Sequence, residues 1–191
     1  MSFQVLIISE DPTNNGYILK PLIKKMMNQC GKANARVDLM TEPKTNGYEN
    51  AKSLIKEIVI ERYAYKDLLL FIADADGKNR NQEFASLEEE AKTKEVDLFC
   101  CAAVQEVEAW LLAGHLDKLD TFWSKIRDDI SVKENIFEDF LRRYGNPKAA
   151  GGGRETLMLE TLQNYSGFLD RCPELKELQS RIQNFLEFKQ A

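Results

Sequence analysis

The chain has 191 residues, of which 43% are hydrophobic and 30% charged, with 31 acidic against 26 basic side chains and a net charge of −5. This length suits one domain with a sizeable core, or one domain plus a modest appendage, and argues against two full domains. The negative charge argues against nonspecific coating of nucleic acid, and no apolar stretch approaches the roughly 18 residues of a membrane span. Because the amino terminus lacks the basic flank of a signal peptide, we expect a cytoplasmic protein with no membrane contact.

Short apolar runs alternate with helical patterns from the start of the chain. Gln4–Ser9 predicts a buried strand that ends at Glu10. Apolar residues then recur at helical spacing over Ile18–Met27, and Gly31 is a plausible end for this helix. Polar and apolar residues alternate over Ala35–Met40, which predicts a second, less buried strand near an edge of a sheet.

A third strand is predicted over Leu68–Ala73. This run of large apolar residues is too short for a typical helix and is typical of a strand covered on both faces. The helix predicted before it has five apolar residues on one face: Ala51, Leu54, Ile55, Ile58 and Val59.

A charged helix is predicted after this strand, with Phe84 and Leu87 on its apolar face and Glu88–Glu90 on its solvated face. An apolar strand over Val96–Val104 follows, and then a short helix over Gln105–Gly114. Strands and helices that alternate in this way predict an α/β fold. We expect an open, mostly parallel four-stranded sheet flanked by helices.

Residues 115–191 contain helical patterns but no strand pattern, so we predict a helical C-terminal extension packed on an α/β domain of residues 1–114. The glycine-rich segment 145–154 predicts a flexible linker, with the alternative that its backbone N–H groups, Lys148 and Arg154 cradle phosphate. Three helices are predicted in the extension: Leu116–Ile130, Lys133–Arg143 and Leu175–Phe188.

Acidic residues follow two of the predicted buried strands where these end. Glu10 follows the first strand, and Asp74 and Asp76 follow the third. If these strands are parallel neighbours, the three acids meet at the carboxyl edge of the sheet, where open α/β sheets bind ligands. Strand alternation also aims Asp74 and Asp76 to one side. Close carboxylates repel unless a cation or shared proton intervenes, which predicts a Mg²⁺ or Mn²⁺ site; a polar turn that merely closes a strand is the alternative.

Two further acids, Glu106 and Glu108, open the helix predicted after the fourth strand. Residues two apart on a helix point about 200° apart, so only one can face the site, and we favour Glu106 because it is nearer the helix start. The alternative is that both acids stabilise the helix dipole. Since His115 is the only histidine, carboxylates must supply the metal ligands. Three basic residues are candidates for contacts with substrate phosphate, against the alternative of plain surface cations: Lys78, Arg80 and Lys148.

The order of these features resembles the TOPRIM domain of primases, topoisomerases and OLD-type nucleases, with one strand ending in Glu10 and a later one in Asp74-Ala75-Asp76. The segment Glu106–Ala113 further resembles small stand-alone TOPRIM-like proteins of the RloB and OLD-associated kind, several linked to phage defence. The resemblance covers about Gln4–Gly114, with weaker similarity at Asn146-Pro147-Lys148. TOPRIM proteins commonly have glycine after the first glutamate, where this chain has aspartate and proline.

This resemblance implies a Mg²⁺- or Mn²⁺-dependent nuclease acting on DNA or RNA as an effector of phage defence. Asp74 and Asp76 would hold the metal, and Glu10 would transfer a proton or act as another ligand beside Glu106 or Glu108. A second hypothesis is a regulatory module that docks to an ATPase partner and has little catalysis of its own. A third, ranked last, is a phosphotransfer domain of the receiver type. The sequence leaves open DNA or RNA as substrate, the partner, and whether the chain forms a homo-oligomer.

Overall fold

A computed structural model describes residues 2–189, which form an α/β fold around a single four-stranded sheet. All strand pairs are parallel, in the order β2-β1-β3-β4, and helices cover both faces. The predicted fold class is therefore confirmed, including the position of the second strand at an edge. The strands are β1 (Gln4–Ser9), β2 (Arg36–Leu39), β3 (Leu68–Asp74) and β4 (Leu98–Ala103).

The helices of the first part of the chain follow the predicted order, with two local differences. A π-helical turn interrupts the second helix and changes the angle between successive side chains within it, so Ile58, predicted on the apolar face, is 38% exposed. The helix after β4 begins at Glu108, three residues later than predicted. These helices are α1 (Pro12–Gln29), α2 (Tyr48–Leu54), which continues through the π-helical turn (Ile55–Val59) into α3 (Ile60–Arg62), α4 (Asn81–Thr93) and α5 (Glu108–Leu112).

The sheet separates two hydrophobic clusters because successive side chains of a strand point to opposite faces. Helices α2, α3 and α4 cover one face, and α1 and α5 cover the other together with the helices that follow residue 115. Strand β3 is buried on both faces, as its apolar sequence predicts. It contributes Leu68, Leu70 and Ile72 to one cluster and Leu69, Phe71 and Ala73 to the other.

The C-terminal helices share a hydrophobic cluster with α1 and are not separated from the sheet by a second core. The single helix predicted over Leu116–Ile130 is wrong: Asp120 and Thr121, whose side chains compete for backbone hydrogen bonds, lie between a 3₁₀ turn and α6. Among residues 2–189, no helix is both long and apolar enough to cross a bilayer. The helices are α6 (Trp123–Asp128), α7 (Glu138–Tyr144) after a π-helical turn (Lys133–Phe137), α8 (Arg154–Thr161), α9 (Tyr165–Arg171) and α10 (Pro173–Phe188).

The glycine-rich segment is a packed turn, so the predicted flexible linker is wrong. Gly151 lies directly against the ring of Tyr17 in α1, where a Cβ atom would be 2.4 Å from a ring carbon. Its φ of +64° is a left-handed conformation that favours glycine. Arg154 donates a hydrogen bond to the Gly151 carbonyl at 2.9 Å, which commits this guanidinium to the turn itself.

Strand β4 forms one edge of the sheet, and an ion pair covers that edge. Glu88 Oε1 accepts a hydrogen bond from the Cys100 N–H at 2.7 Å, and Arg181 Nη1 donates to the Cys100 carbonyl at 3.2 Å. Arg181 Nη2 also lies 2.8 Å from both Glu88 oxygens. The pair replaces a neighbouring strand at Cys100 and protects the edge. The prediction that Glu88 belongs to a solvated face is wrong because the edge backbone requires its carboxylate.

We expect Arg181→Met to lower the free energy of unfolding by about 1–3 kcal/mol, because the Cys100 carbonyl and the Glu88 carboxylate lose their common donor. Urea unfolding measures this loss. Lys176→Met is the matched control, since Lys176 and Asp170 form an ion pair with both side chains 63% exposed, and its loss should stay below about 0.5 kcal/mol. Equal losses in the two variants would contradict the edge-covering role.

Candidate functional site

Glu10 and Asp74 meet at the carboxyl edge of the sheet, as the sequence predicts. Strands β1 and β3 are hydrogen-bonded neighbours with Ser9, the last residue of β1, level with Ile72, so β3 ends two residues beyond β1 at the same edge. The Asp74 N–H donates to Glu10 Oε1 at 2.8 Å. Asp74 Oδ1 in turn accepts a hydrogen bond from the Val107 N–H at 2.8 Å. Asp74 thereby connects the ends of β1 and β3 with the loop that follows β4.

Asp76 lies beyond the end of β3, in a tight turn. Strand alternation does not set the direction of Asp76, because the strand ends at Asp74 and Asp76 has a φ of +49°, but the charge of Asp76 still acts on both Glu10 and Asp74. The Asp76 and Gly77 N–H groups donate to the carbonyl and side-chain Oε1 of Gln105, at 3.2 and 2.8 Å. Asp76 and Gln105 are non-glycine residues with positive φ, conformations that persist where the surroundings hold them. Two facing loops therefore fix the position of Asp76.

Glu106 and Glu108 both border this edge, but in a different arrangement from the predicted one. Because α5 begins at Glu108, Glu106 lies in the preceding loop and the angle between helical positions does not apply. Glu108 is 1% exposed, and its charge acts on Asp74. Glu106 is half-buried and accepts a hydrogen bond from the Lys133 N–H at 2.6 Å. The acid beside Asp74 is therefore Glu108 rather than the favoured Glu106.

Arg80 is the cation on one side of these acids. Its side chain is only 4% exposed, with the guanidinium 3.6 Å from the centre of the Tyr48 ring. Its nearest carboxylates are those of Asp76 at 3.8 Å and Glu83 at 3.6 Å, and its charge also acts on Glu10. Arg80 Nε is buried without a hydrogen-bond partner in the part of the chain that the structure describes. A buried guanidinium held by an aromatic ring is a fixed donor for an anion.

Lys78 and Lys148 occupy different surroundings from Arg80. Lys78 is exposed and lines a groove of about 460 Å³ that runs from Ala75, just after β3, along β4 to Arg181. Lys148 lies in the glycine-rich turn, with an exposed side chain and its N–H donating to Asn146 Oδ1 at 3.0 Å. The structure thus brings Arg80 to the acids, while contacts of Lys78 and Lys148 with phosphate stay predictions.

Lys133 is a site residue that the sequence analysis missed. It begins the π-helical turn before α7, and π-helical turns are frequent at functional sites. Its Nζ is 3.6 Å from Glu108 Oε1, and its N–H contacts Glu106. The available signal was indirect: buried acids need a counter-cation, and Lys133 opens a predicted helix. Nothing in the local sequence indicates that this helix end lies at the sheet edge.

Burial and mutual repulsion raise the pKa of several of these carboxylates. Burial, and then the charges of Glu10 and Glu108, raise the pKa of Asp74 to about 8. The pKa of Glu106 is raised to about 7, mainly by burial and further by Glu108. Burial also raises the pKa of Glu10 although the Asp74 N–H opposes the shift. At neutral pH the cluster therefore retains protons unless a cation compensates its charge.

The donor set fits a hard divalent cation, although residues 2–189 contain no ready-made group of three or more His, Cys, Asp or Glu ligands. The candidates are all carboxylates, and Glu108 Oε1 is buried without a hydrogen-bond partner in the described part of the chain. Mg²⁺ usually keeps several waters and binds one or two protein carboxylates together with substrate phosphate. Asp74 and Asp76, with Glu10 or Glu108, are the residues that could hold such a cation.

The chain matches no protein-family model, and searches of curated proteins and of solved structures give no match. These comparisons show no family for the chain, and the resemblance to the TOPRIM domain stays a prediction from its sequence. Function has to be inferred from the residues at the carboxyl edge and from what their arrangement can do chemically.

In EDTA, the free energy of unfolding should fall as pH rises from about 4 to about 8. The raised pKa makes folded Asp74 bind a proton that the unfolded chain has released, and each tenfold difference in proton affinity between the folded and unfolded chain corresponds to about 1.4 kcal/mol. Asp74→Asn should flatten the decline and be more stable than wild type at pH 8 by at least about 1 kcal/mol. Urea unfolding at pH 5 and pH 8 measures both effects.

Glu89→Gln removes one exposed carboxylate from α4 and controls for the change in net charge. It should reproduce the wild-type pH profile. If Asp74→Asn leaves the pH profile unchanged, the pKa of Asp74 in the folded protein is not raised, which would contradict this prediction.

Proposed function

We propose that the chain is a Mg²⁺- or Mn²⁺-dependent phosphodiesterase of the TOPRIM type that cleaves DNA or RNA. The observation that supports this most is the meeting of carboxylates from separate elements: Glu10 after β1, Asp74 after β3 and Glu108 in α5, with the charges of Glu10 and Glu108 both acting on Asp74. The charge of Arg80 acts on Glu10, and the ammonium group of Lys133 lies 3.6 Å from Glu108. A role as an effector of phage defence is part of the same proposal and rests on the resemblance.

A divalent cation bound at this edge would polarise the phosphodiester and neutralise charge that builds on its oxygens. Asp74 is suited to hold it because the Val107 N–H fixes Oδ1 and leaves Oδ2 for a ligand. Asp76 has a side chain 49% exposed at the mouth of the site and can contact both the cation and solvent. Fixed carboxylate orientation lowers the entropy cost of binding.

Glu10 is the proton-transfer candidate among these residues. One of its oxygens accepts the Asp74 N–H, which orients the carboxylate and leaves the other oxygen for a water molecule or leaving group. The pKa of Glu10 is raised toward neutral pH, and a carboxylate with such a pKa can both accept a proton and return it. Arg80 is placed to orient the phosphate because Tyr48 holds its guanidinium still.

The alternative, a module that docks to an ATPase partner, predicts an apolar docking surface on the C-terminal helices. Large apolar side chains of this extension are exposed, and exposed apolar residues are ordinary on monomeric proteins unless they form one large patch. Docking stays the second candidate, and an inactive wild-type chain would favour it. The exposed residues are Phe122, Ile130, Tyr144, Leu159 and Phe188.

Asp74→Asn and Asp76→Asn should each lower nuclease activity by about 100-fold or more, because each removes a carboxylate from the proposed cation site. Cleavage of labelled single- and double-stranded DNA and RNA in millimolar Mn²⁺ or Mg²⁺ measures this. EDTA should abolish wild-type activity, and Glu89→Gln should leave it unchanged. Activity that survives EDTA or both substitutions would contradict the proposal.

Glu10→Gln separates two roles within the same assay. If Glu10 transfers a proton, the substitution should lower turnover while Mn²⁺ affinity, measured by calorimetry, stays within about twofold of wild type. Equal losses of turnover and affinity would instead make Glu10 a metal ligand.

A further inference from the structure

Lys133 approaches the acidic edge from a part of the chain that is remote in sequence. Its backbone N–H donates to Glu106 Oε2 at 2.6 Å, and its Nζ lies 3.6 Å from Glu108 Oε1. The charge of Asp11 also acts on the ammonium group. The backbone contact ties the start of the π-helical turn to the site, while the side chain supplies a movable positive charge.

The contact between Lys133 and Glu108 is electrostatic and incomplete. At 3.6 Å it exceeds hydrogen-bond length, and Glu108 Oε1 is buried without a hydrogen-bond partner within residues 2–189. A buried carboxylate oxygen left without a partner costs about 1–3 kcal/mol or more. The ammonium group thus reduces the repulsion among the acids without satisfying Glu108 fully.

A divalent cation would satisfy that oxygen directly, but it would repel an ammonium group only a few ångströms away. The two cations therefore compete for the same carboxylates. Lys133 is able to leave, because its side chain is 32% exposed whereas that of Glu108 is 2% exposed, and a lysine stem is flexible. Its backbone contact with Glu106 does not depend on where the ammonium group lies.

We propose that Lys133 is a tethered counter-cation, which partly neutralises the acidic edge in the absence of metal and moves out when a divalent cation binds. Lys133 then sets the metal affinity of the site, because it stabilises the edge without metal and still allows a divalent cation to bind there. This inference rests on the proposed metal-dependent function and concerns how the same site is regulated.

Lys133→Met keeps an unbranched apolar stem of nearly the same length and removes the charge. Without the competing charge, Mn²⁺ should bind the full chain about tenfold more tightly, as measured by calorimetry in the absence of substrate. In EDTA the same variant should unfold at a lower temperature than wild type, because Glu108 loses its nearest cation. Lys125→Met, at an exposed lysine of α6, is the matched control and should change neither quantity.

Tighter Mn²⁺ binding together with a lower unfolding temperature in EDTA identifies Lys133 as a counter-cation that competes with metal. A lysine that merely stabilises the fold would lower the unfolding temperature equally with and without Mn²⁺, and a lysine that only contacts substrate would change KM but not Mn²⁺ affinity. Either result overturns the counter-cation role while the metal site itself remains, provided that wild type binds Mn²⁺ and Asp74→Asn does not. If neither wild type nor Lys133→Met binds Mn²⁺ at millimolar concentration, both this inference and the proposed function are wrong.

Discussion

Repulsion among buried carboxylates is the constraint on which the rest of the site depends. The charges of Glu10 and Glu108 both act on Asp74, and burial deprives these carboxylates of water that would screen their charges. The fold holds them there with backbone hydrogen bonds: the Asp74 N–H to Glu10 and the Val107 N–H to Asp74. The protein therefore holds carboxylates that repel one another when they are ionised, and only bound protons or cations can reduce this repulsion.

The sheet supplies the rigidity that this arrangement requires. Strand β3 is buried on both faces and paired on both sides, so the position of Asp74 at its end is fixed by the core and by two parallel neighbours. The C-terminal helices complete the site as well as the core, because Lys133 reaches Glu106 and Glu108 from their first π-helical turn. At the other end of the same extension, Arg181 covers the open edge of β4. The extension is therefore part of the site and not an appendage to it.

The sequence was informative where local pattern determines structure. Apolar runs located the strands, and parallel pairing of the first and third strands correctly placed Glu10 beside Asp74. The sequence was not informative where contacts between distant segments determine the surroundings of a residue. Lys133 lies 27 residues from Glu106, and Glu88 pairs with Arg181 across 93 residues. The turn at Asp76 was missed for a different reason, because hydrophobic periodicity does not indicate a positive φ in a non-glycine residue. The chemistry of the carboxyl edge could thus be anticipated, but its counter-charges could not.

A cation at this edge is detected most directly by anomalous diffraction from crystals grown with Mn²⁺. The account predicts an anomalous peak at about 2.2 Å from carboxylate oxygens of Asp74 and Asp76, with the ammonium group of Lys133 displaced from Glu108. A second crystal form grown with EDTA should show Lys133 in place and no such peak. Peaks confined to other surfaces of the protein, in crystals soaked in millimolar Mn²⁺ with a nucleic-acid substrate present, would contradict a metal site at the carboxyl edge.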